Sequence, residues 1–359
     1  MAQIVLDHLT KRFGDTPAVT DLSLELASGE LVALLGPSGC GKTTTLRMVA
    51  GFETPTAGRV WLADRDLTDA PPERRNCGMV FQNYALFPHL TVEQNVAFGL
   101  EMRGVERAEI RRRVADILDK VELGGLGGRY PRQLSGGQQQ RTALARALVV
   151  NPSVLLLDEP LANLDAKLRE EMRFYIRSLQ REFHITTLYV THDQAEALVL
   201  ADRVAILMGG VLQQYGRPED VYHRPRSAAV AGFIGLTNLI PGRVRARGAG
   251  RVIVDTALGP VTAGGDPALR EGADALLSVR PEQLDLLRPD AAPRNGANVL
   301  RGTVRERTFL GSLADFRVDV GGGVVLRVQG RPSAVERAGD AVAVAFDADA
   351  AWALPRATS

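Results

Sequence analysis

Residues Gly36–Thr43 read G-P-S-G-C-G-K-T, a complete G-x-x-x-x-G-K-[ST] phosphate-binding loop. The loop follows an apolar run at Leu31–Leu35 and precedes a predicted helix at Thr44–Ala50. Phosphates bind where a strand turns into a helix N-terminus, because free backbone N–H groups and the positive helix end converge there. The stretch therefore predicts an α/β fold that binds a nucleoside triphosphate. The candidate contacts are Gly36, Pro37, Ser38, Gly39, Cys40, Gly41, Lys42, Thr43 and Thr44.

Two side chains of this loop carry specific chemistry. Lys42 supplies a point charge to the β- and γ-phosphates, and the Thr43 hydroxyl can coordinate Mg²⁺. The glycines let the backbone curl around a phosphate without Cβ clashes.

A second motif, Leu134–Gln138, reads L-S-G-G-Q and begins another predicted helix. Ser135 is a favourable N-cap residue, and the two glycines keep its hydroxyl and the following amides open to a ligand. Taken alone, the motif is also typical of an ordinary helix start after a flexible loop. The candidate ligand contacts are Ser135, Gly136, Gly137 and Gln138.

A third motif, Val154–Glu159, is an apolar run that ends in two carboxylates. It predicts a buried parallel strand, and open α/β sheets bind their ligands at the carboxyl ends of such strands. Asp158 is suited to hold Mg²⁺ through water, and Glu159 to polarise an attacking water. The alternative is a pair of acids that cap the next turn.

Together these motifs resemble the ATP-binding subunits of ABC transporters over about residues 1 to 235. The family's Q-loop glutamine matches Gln82, its D-loop matches Asn163–Asp165, and its switch histidine matches His192. The resemblance implies that two copies sandwich two ATP molecules, with Ser135 and Gly137 donating to the γ-phosphate from the opposite chain. It also implies four catalytic residues, Glu159, His192, Gln82 and Lys42, and a Mg²⁺ set of Thr43, Gln82 and Asp158.

Phe13 matches the aromatic residue that stacks on adenine in this family, although many relatives have Tyr there. It ends the first of two predicted strands, Ile4–Phe13 and Val19–Ala27. A core phenylalanine in a hairpin is the alternative interpretation.

A helical subdomain is predicted at about residues 84 to 150. In Glu106–Leu123 the apolar residues recur at helical spacing, and Arg111–Arg113 lie on or near the polar side. No aromatic residues interleave with these arginines, so the triplet indicates a solvated face rather than a nucleic-acid site. Asn83–Pro88 is either a docking patch for a membrane partner or ordinary core packing under the Q-loop.

From about Gly242 the pattern changes to short alternating strands separated by Gly and Pro, which predicts a small barrel. Phe233–Gly242 and Val279–Glu282 resemble the C-terminal extension of importer ATPases, which forms OB-like barrels. We therefore expect two domains, a cassette at residues 1–235 and an all-β OB-like domain at residues 236–359. The second would support and regulate the dimer or sense a small ligand.

Composition limits the remaining choices. Lys plus Arg total 43 against 42 Asp plus Glu, so no global field favours nucleic acid. Cys40 and Cys77 are too few for a disulfide framework, which fits a reducing cytosol. No run of eighteen apolar residues and no amino-terminal signal pattern occurs, so transport would require separate membrane-spanning subunits.

We therefore expect a homodimer bound to two membrane-spanning permease subunits at the cytoplasmic face of the inner membrane, supplied by a substrate-binding protein. The stretches Thr237–Gly242 and Pro71–Asn76 are nearest to the polyamine and ferric-iron branch of these importers. Alternative cargoes are phosphonate, sugar or sulfate. A soluble ABC ATPase without a transport role is a further alternative, but the chain has one phosphate loop and no sustained heptads.

Overall fold

The computed structural model describes residues 3–248, 250–290 and 296–356. The chain divides into two compact units, Met1–Pro218 and Glu219–Ser359. The predicted domain limits at residues 1 and 359 lie outside the described residues, and the predicted boundary between residues 235 and 236 stays a prediction.

A six-stranded sheet in strand order β10-β9-β3-β8-β7-β6 forms the centre of the first unit. Its strands are parallel except for β10, which pairs antiparallel with β9. Strands β3, β7 and β8 are buried along their whole length, as expected of parallel strands covered on both faces. The strands of this unit are β1 Ile4–Phe13, β2 Thr16–Leu26, β3 Leu31–Leu35, β4 Ala57–Leu62, β5 Arg65–Asp66, β6 Cys77–Val80, β7 Val154–Asp158, β8 Thr186–Thr191, β9 Arg203–Met208 and β10 Val211–Gly216.

The second sheet of this unit has the order β2-β1-β4-β5 and is antiparallel. The first strand runs over Ile4–Phe13 as predicted, whereas the second begins at Thr16, three residues earlier than expected. Thr16 and Pro17 at its start pair with Phe13 and Arg12 of β1, so the hairpin closes nearer its tip than the alternation predicts.

Among the described residues, six α-helices belong to the first unit, and three of them were predicted as helices: the one after the phosphate loop, the one at Glu106–Leu123 and the one after the signature. The predicted helix at Glu106–Leu123 is α3, shorter at each end, and it buries Ile110, Val114, Ile117 and Leu118. Helices α2 and α4 contribute to the same core. The helices are α1 Lys42–Ala50, α2 Val92–Met102, α3 Arg107–Lys120, α4 Gly136–Leu148, α5 Ala166–Phe183 and α6 Gln194–Leu200.

In the second unit the short strands form a closed barrel and a five-stranded sheet, so the OB-like all-β class is confirmed. The barrel order is β11-β12-β13-β20-β14, and the sheet order is β15-β19-β16-β17-β18. One apolar cluster joins them, because residues such as Val254 and Phe316 belong to the same core. The elements are α7 Pro218–His223, α8 Ala228–Phe233, β11 Asn238–Gly248, β12 Arg251–Thr256, β13 Gly259–Gly265, β14 Asp274–Val279, β15 Asp285–Leu287, β16 Asn298–Phe309, β17 Ala314–Asp319, β18 Val325–Gly330, β19 Ala341–Phe346 and β20 Ala351–Pro355.

A buried arginine attaches the segment before the barrel to the barrel itself. The Arg280 guanidinium donates to the backbone oxygens of Tyr222, Ala231 and Leu236 at 2.7–2.9 Å. It also stacks 4.1 Å from the Tyr222 ring centre. Because an unpaired buried guanidinium is costly, these carbonyls fix the segment against Arg280.

Candidate nucleotide-binding site

The phosphate loop lies between β3 and α1, at the carboxyl edge of the parallel sheet. Gly39 and Gly41 have φ of 77° and 97°, which favours glycine, and a Cβ at Gly41 would overlap Ala18 O. Gly41 is the N-cap of α1 and has no side chain to occupy the first turn of the helix. The first amides of α1 are therefore left to an external anion.

Lys42 is buried inside this loop. Its Nζ donates to Gly36 O at 2.8 Å and to Pro37 O at 3.0 Å. The Cys40 sulfur lies 4.0 Å from the same Nζ, and burial raises the pKa of this thiol. The Cys40 amide donates to Pro37 O at 3.4 Å, so both Lys42 and Cys40 hold the carbonyl groups of the loop.

Thr43 and Asp158 meet across the sheet edge. Thr43 Oγ1 donates to Asp158 Oδ1 at 3.0 Å, and Asp158 is 8% exposed. Burial raises the pKa of the Asp158 carboxyl, while the Thr43 hydrogen bond lowers it. A hydroxyl and a carboxylate oxygen are hard ligands, and Mg²⁺ takes one or two protein oxygens together with water and substrate phosphates. The pair therefore fits Mg²⁺.

The Glu159 carboxylate is contacted by the side chains of Gln82 and His192. Glu159 Oε2 lies 3.0 Å from His192 Nδ1 and 3.4 Å from Gln82 Nε2. Strand β8 lies beside β7, and Glu159 N donates to Val190 O at 3.0 Å, which aligns the ends of both strands. Asn163 Nδ2 donates to Gln82 O at 2.8 Å, so the predicted D-loop holds the predicted Q-loop. The structure thus brings together three of the four predicted catalytic side chains.

The signature residues form a closed capping box at the start of α4. Ser135 Oγ accepts from Gln138 N at 3.3 Å, and Gln138 Oε1 accepts from Ser135 N at 3.0 Å. A Cβ on Gly136 or Gly137 would lie 3.1 Å from the side chain of Leu164 or Leu168, respectively. The signature therefore packs on the D-loop and the start of α5.

Phe13 is 50% exposed, so its interpretation as a core residue is wrong. Its position at the end of β1, beside a tight hairpin, keeps it out of the sheet interior. Lys11 Nζ lies 5.0 Å from the ring centre. Stacking on adenine stays a prediction.

The Asn83–Pro88 segment divides between its two interpretations. Tyr84 is buried in the core that α2, α3 and α4 share, and Leu86 packs partly against it. The Phe87 ring lies 4.6 Å from the Phe98 ring, whereas Asn83 and Pro88 are exposed. Core packing accounts for Tyr84, and docking of a partner stays a prediction.

Glu196, a carboxylate that is only 3% exposed, was not predicted as part of the site. The sequence around it, D-x-x-E, has the pattern of a capping box, and in the structure Asp193 is the N-cap of α6 and accepts from Glu196 N. Such a signal predicts a helix start and gives no hint of burial.

Comparisons with known proteins agree with this geometry. An ABC transporter family model matches residues 19–162, and a TOBE domain model matches residues 277–354. A solved dimeric, post-hydrolysis structure of the ATP-binding cassette MJ0796 with ADP and Pi is similar, with a TM-score of 0.54 and 33% identity. It covers 60% of this chain, and the match spans 98% of that cassette. Fold and site thus define an ATP-hydrolysing cassette followed by a β extension.

Two relatives extend the similarity over nearly the whole chain. The spermidine/putrescine import ATP-binding protein PotA of Rubrobacter xylanophilus is 49% identical over 351 residues, 96% of this chain and 91% of the relative. The sn-glycerol-3-phosphate import ATP-binding protein UgpC 3 of Rhizobium etli is 46% identical over 343 residues, 94% and 93% of the two chains. The chain belongs to the family of ABC importer ATP-binding proteins, and it binds and hydrolyses ATP. Among the described residues, no helix is long and apolar enough to cross a membrane.

Proposed function

We propose that this chain is the ATP-hydrolysing subunit of a polyamine importer. The observation that carries the ATPase part is that Gln82 and His192 both contact Glu159, which directly follows Asp158, the last residue of β7. A carboxylate fixed by two polar groups at a phosphate site can orient and deprotonate a water.

The residues of the ATP site have separate tasks. Lys42 exchanges its two loop carbonyls for the β- and γ-phosphate oxygens, and the first amides of α1 bind the phosphates directly. Phe13 stacks on the adenine. Thr43 and Asp158 would hold Mg²⁺, and Gln82 is the third residue that would bind it. The bound ion would neutralise charge that develops on the phosphates.

Glu159 acts as the general base that deprotonates the attacking water. His192 binds the γ-phosphate beside Glu159. His192 is suited to this because its side chain is 57% exposed while Nδ1 remains on Glu159. Catalysis in this arrangement consists mainly of positioning and electrostatic stabilisation.

The second half of each site comes from another copy of the chain. Ser135 Oγ accepts one hydrogen bond in its capping box, so its own proton remains available to donate to a γ-phosphate. We infer a homodimer in which each signature, Ser135–Gln138, closes over the partner's phosphate loop. ATP bound across that interface shifts the open–closed equilibrium by its differential affinity for the two states.

The remaining partners follow from the same proposal. The dimer binds two membrane-spanning permeases at the cytoplasmic face of the inner membrane and works with a substrate-binding protein. The β extension supports and regulates the dimer. The relatives support polyamine rather than iron as cargo, because the PotA proteins at about half identity are spermidine/putrescine importers by name.

A Glu159→Gln substitution tests the ATPase part. The variant should bind ATP, accumulate as an ATP-bound dimer and hydrolyse ATP about a hundredfold or more slower than wild type. Glu170→Gln, which changes an exposed carboxylate on α5, is the matched control and should keep wild-type turnover. Near-normal turnover by the Glu159 variant would mean that another residue activates the water.

Uptake by cells that lack this chain tests the cargo. Restoring the wild-type chain, but not the Glu159→Gln variant, should restore uptake of labelled spermidine and putrescine. Labelled sn-glycerol 3-phosphate is the comparison, since a relative of similar identity imports it by name. Restored uptake of that solute alone would overturn the polyamine assignment and leave the ATPase proposal intact.

A further inference from the structure

The turn at Thr191–Asp193, which contains His192, is hydrogen-bonded to the buried carboxylate of Glu196. Thr191 Oγ1 donates to Glu196 Oε2 at 2.7 Å, and Tyr189 Oη donates to the same oxygen at 2.9 Å. All three side chains are almost completely buried. Burial raises the pKa of the Glu196 carboxyl, and the two hydrogen bonds oppose this shift.

The same residues bracket His192 along the chain. Thr191 Oγ1 also accepts from Asp193 N at 2.9 Å, and Asp193 Oδ1 accepts from Glu196 N at 3.2 Å. Thr191 and Asp193 therefore both connect to Glu196, one through its carboxylate and one through its amide. His192 is the residue between them and points outward.

Helix α5 holds the other side of the turn. Arg173 Nη2 donates to Asp193 Oδ2 at 3.0 Å, and Arg169 Nη1 lies 3.8 Å from that oxygen. Arg169 Nη2 also donates to Leu164 O at 3.0 Å, in the predicted D-loop. The turn is thus tied to both the strand core and the D-loop.

A buried carboxylate of this kind needs a reason, because removing it from water is costly unless hydrogen bonds compensate. A hydrophobic residue at the third position of α6 would pack in the same place without that cost. What the carboxylate adds is a directional link to the Thr191 hydroxyl. We propose that Glu196 is a positioning residue that fixes the Thr191–Asp193 turn so that the His192 imidazole stays on Glu159. This inference rests on the proposed function, in which His192 holds the γ-phosphate.

Two threonine-to-valine variants on the same strand test the proposal in the full chain. Thr191→Val removes the hydroxyl that donates to the Glu196 carboxylate and accepts from Asp193 N, while the link from Glu196 N to Asp193 Oδ1 remains. Thr187→Val is the matched control, because Thr187 lies five residues before His192 and is also buried. Its hydroxyl donates to Ile185 O at 3.1 Å. Steady-state ATP hydrolysis, affinity for trinitrophenyl-ATP and thermal unfolding are measured for both.

We expect Thr191→Val to lower kcat about tenfold while KM and nucleotide affinity change by less than about twofold, since misplacement of a catalytic group affects the chemical step. Thr187→Val should keep kcat within about twofold although it loses a buried hydrogen bond of the same kind. Equal losses of kcat in the two variants would overturn the proposal, because both would then report general destabilisation. A rise in KM alone for Thr191→Val would overturn it too.

Glu196 itself supplies an independent arm if the valine variant fails to fold. Glu196→Gln keeps an acceptor for Thr191 and should retain most of kcat, whereas Glu196→Ala should resemble Thr191→Val. Equal activity of these two variants would contradict the positioning role. His192→Ala separates this inference from the function beneath it: wild-type kcat in that variant overturns the role of His192, whereas an inactive His192→Ala with a fully active Thr191→Val overturns the inference alone.

Discussion

Two helix starts, α1 at the phosphate loop and α4 at the signature, use similar glycine-rich sequences in opposite ways. α1 follows Gly41, which has no side chain, so its first amides await a ligand. α4 follows Ser135, whose capping box with Gln138 already satisfies the helix end. The phosphate loop therefore offers a complete set of backbone donors for an anion within one chain. The signature is a stable helix end with one spare hydroxyl proton, which suits a group that meets ATP only when a second chain closes.

The largest effect expected from this contrast follows removal of the buried cation. Lys42→Ala should weaken ATP binding about a hundredfold, because charge-assisted hydrogen bonds to phosphate are lost. Arg47→Ala removes an exposed cation from the same helix and should leave affinity within about threefold, since exposed charges are screened. Titration with a fluorescent ATP analogue measures both, and equal losses would mean that the loop binds through net charge alone.

Ser135→Arg should act on assembly instead of binding. ATP affinity of the single chain should stay near wild type, while hydrolysis is lost through clash and added charge at the closing interface. Mixing this variant with Lys42→Ala should restore part of the activity, because one of the two mixed sites has an intact loop and an intact signature. Mixed dimers that form without any rescue would argue against shared sites or for strict coupling of both sites.

Gly41→Ser tests whether the uncapped start of α1 is a geometric necessity. Serine is a favoured N-cap, so a rule based on capping alone predicts stabilisation. We expect a loss of about 2 kcal/mol in the free energy of unfolding, because φ of 97° strains a serine and its Cβ would overlap Ala18 O. Gly39→Ser is the control, since its φ of 77° is also positive but its surroundings are open, and it should cost less. Chemical denaturation that ranks the two the other way would refute the crowding argument.

The smallest effect is expected at the cap of α4. Ser135→Gly should cost only a few tenths of a kcal/mol in stability. Thr91→Gly, in the similar capping box of α2, should cost about the same. ATP hydrolysis should fall only in the Ser135 variant, so a parallel fall in both would assign Ser135 a structural role alone.

Sequence reasoning succeeded where chemistry and local geometry coincide. The strand at Leu31–Leu35, the loop and the following helix were predictable because glycine at fixed spacing, an apolar run and a lysine each demand that arrangement. The short strands of the second unit were predictable from alternation, since period two is a local property. Their pairing was not, because β20 closes the barrel on β13 and β14 from far along the chain.

The same limit explains why Glu196 and Arg280 escaped prediction. Each is charged and each is buried, which runs against the expectation from residue type. Their partners lie on other elements: Tyr189 and Thr191 on a strand, and backbone oxygens of the segment before the barrel for Arg280. Such compensation becomes visible only when the elements are placed together.

Glu159 carries one further consequence, for protein engineering. Its φ is 44°, a left-handed conformation that costs a residue with a side chain but is free to glycine. A library screened for heat resistance alone should therefore enrich glycine or asparagine at this position, and with it chains that no longer turn over ATP. Glutamate at this position costs stability, and ATP turnover requires it.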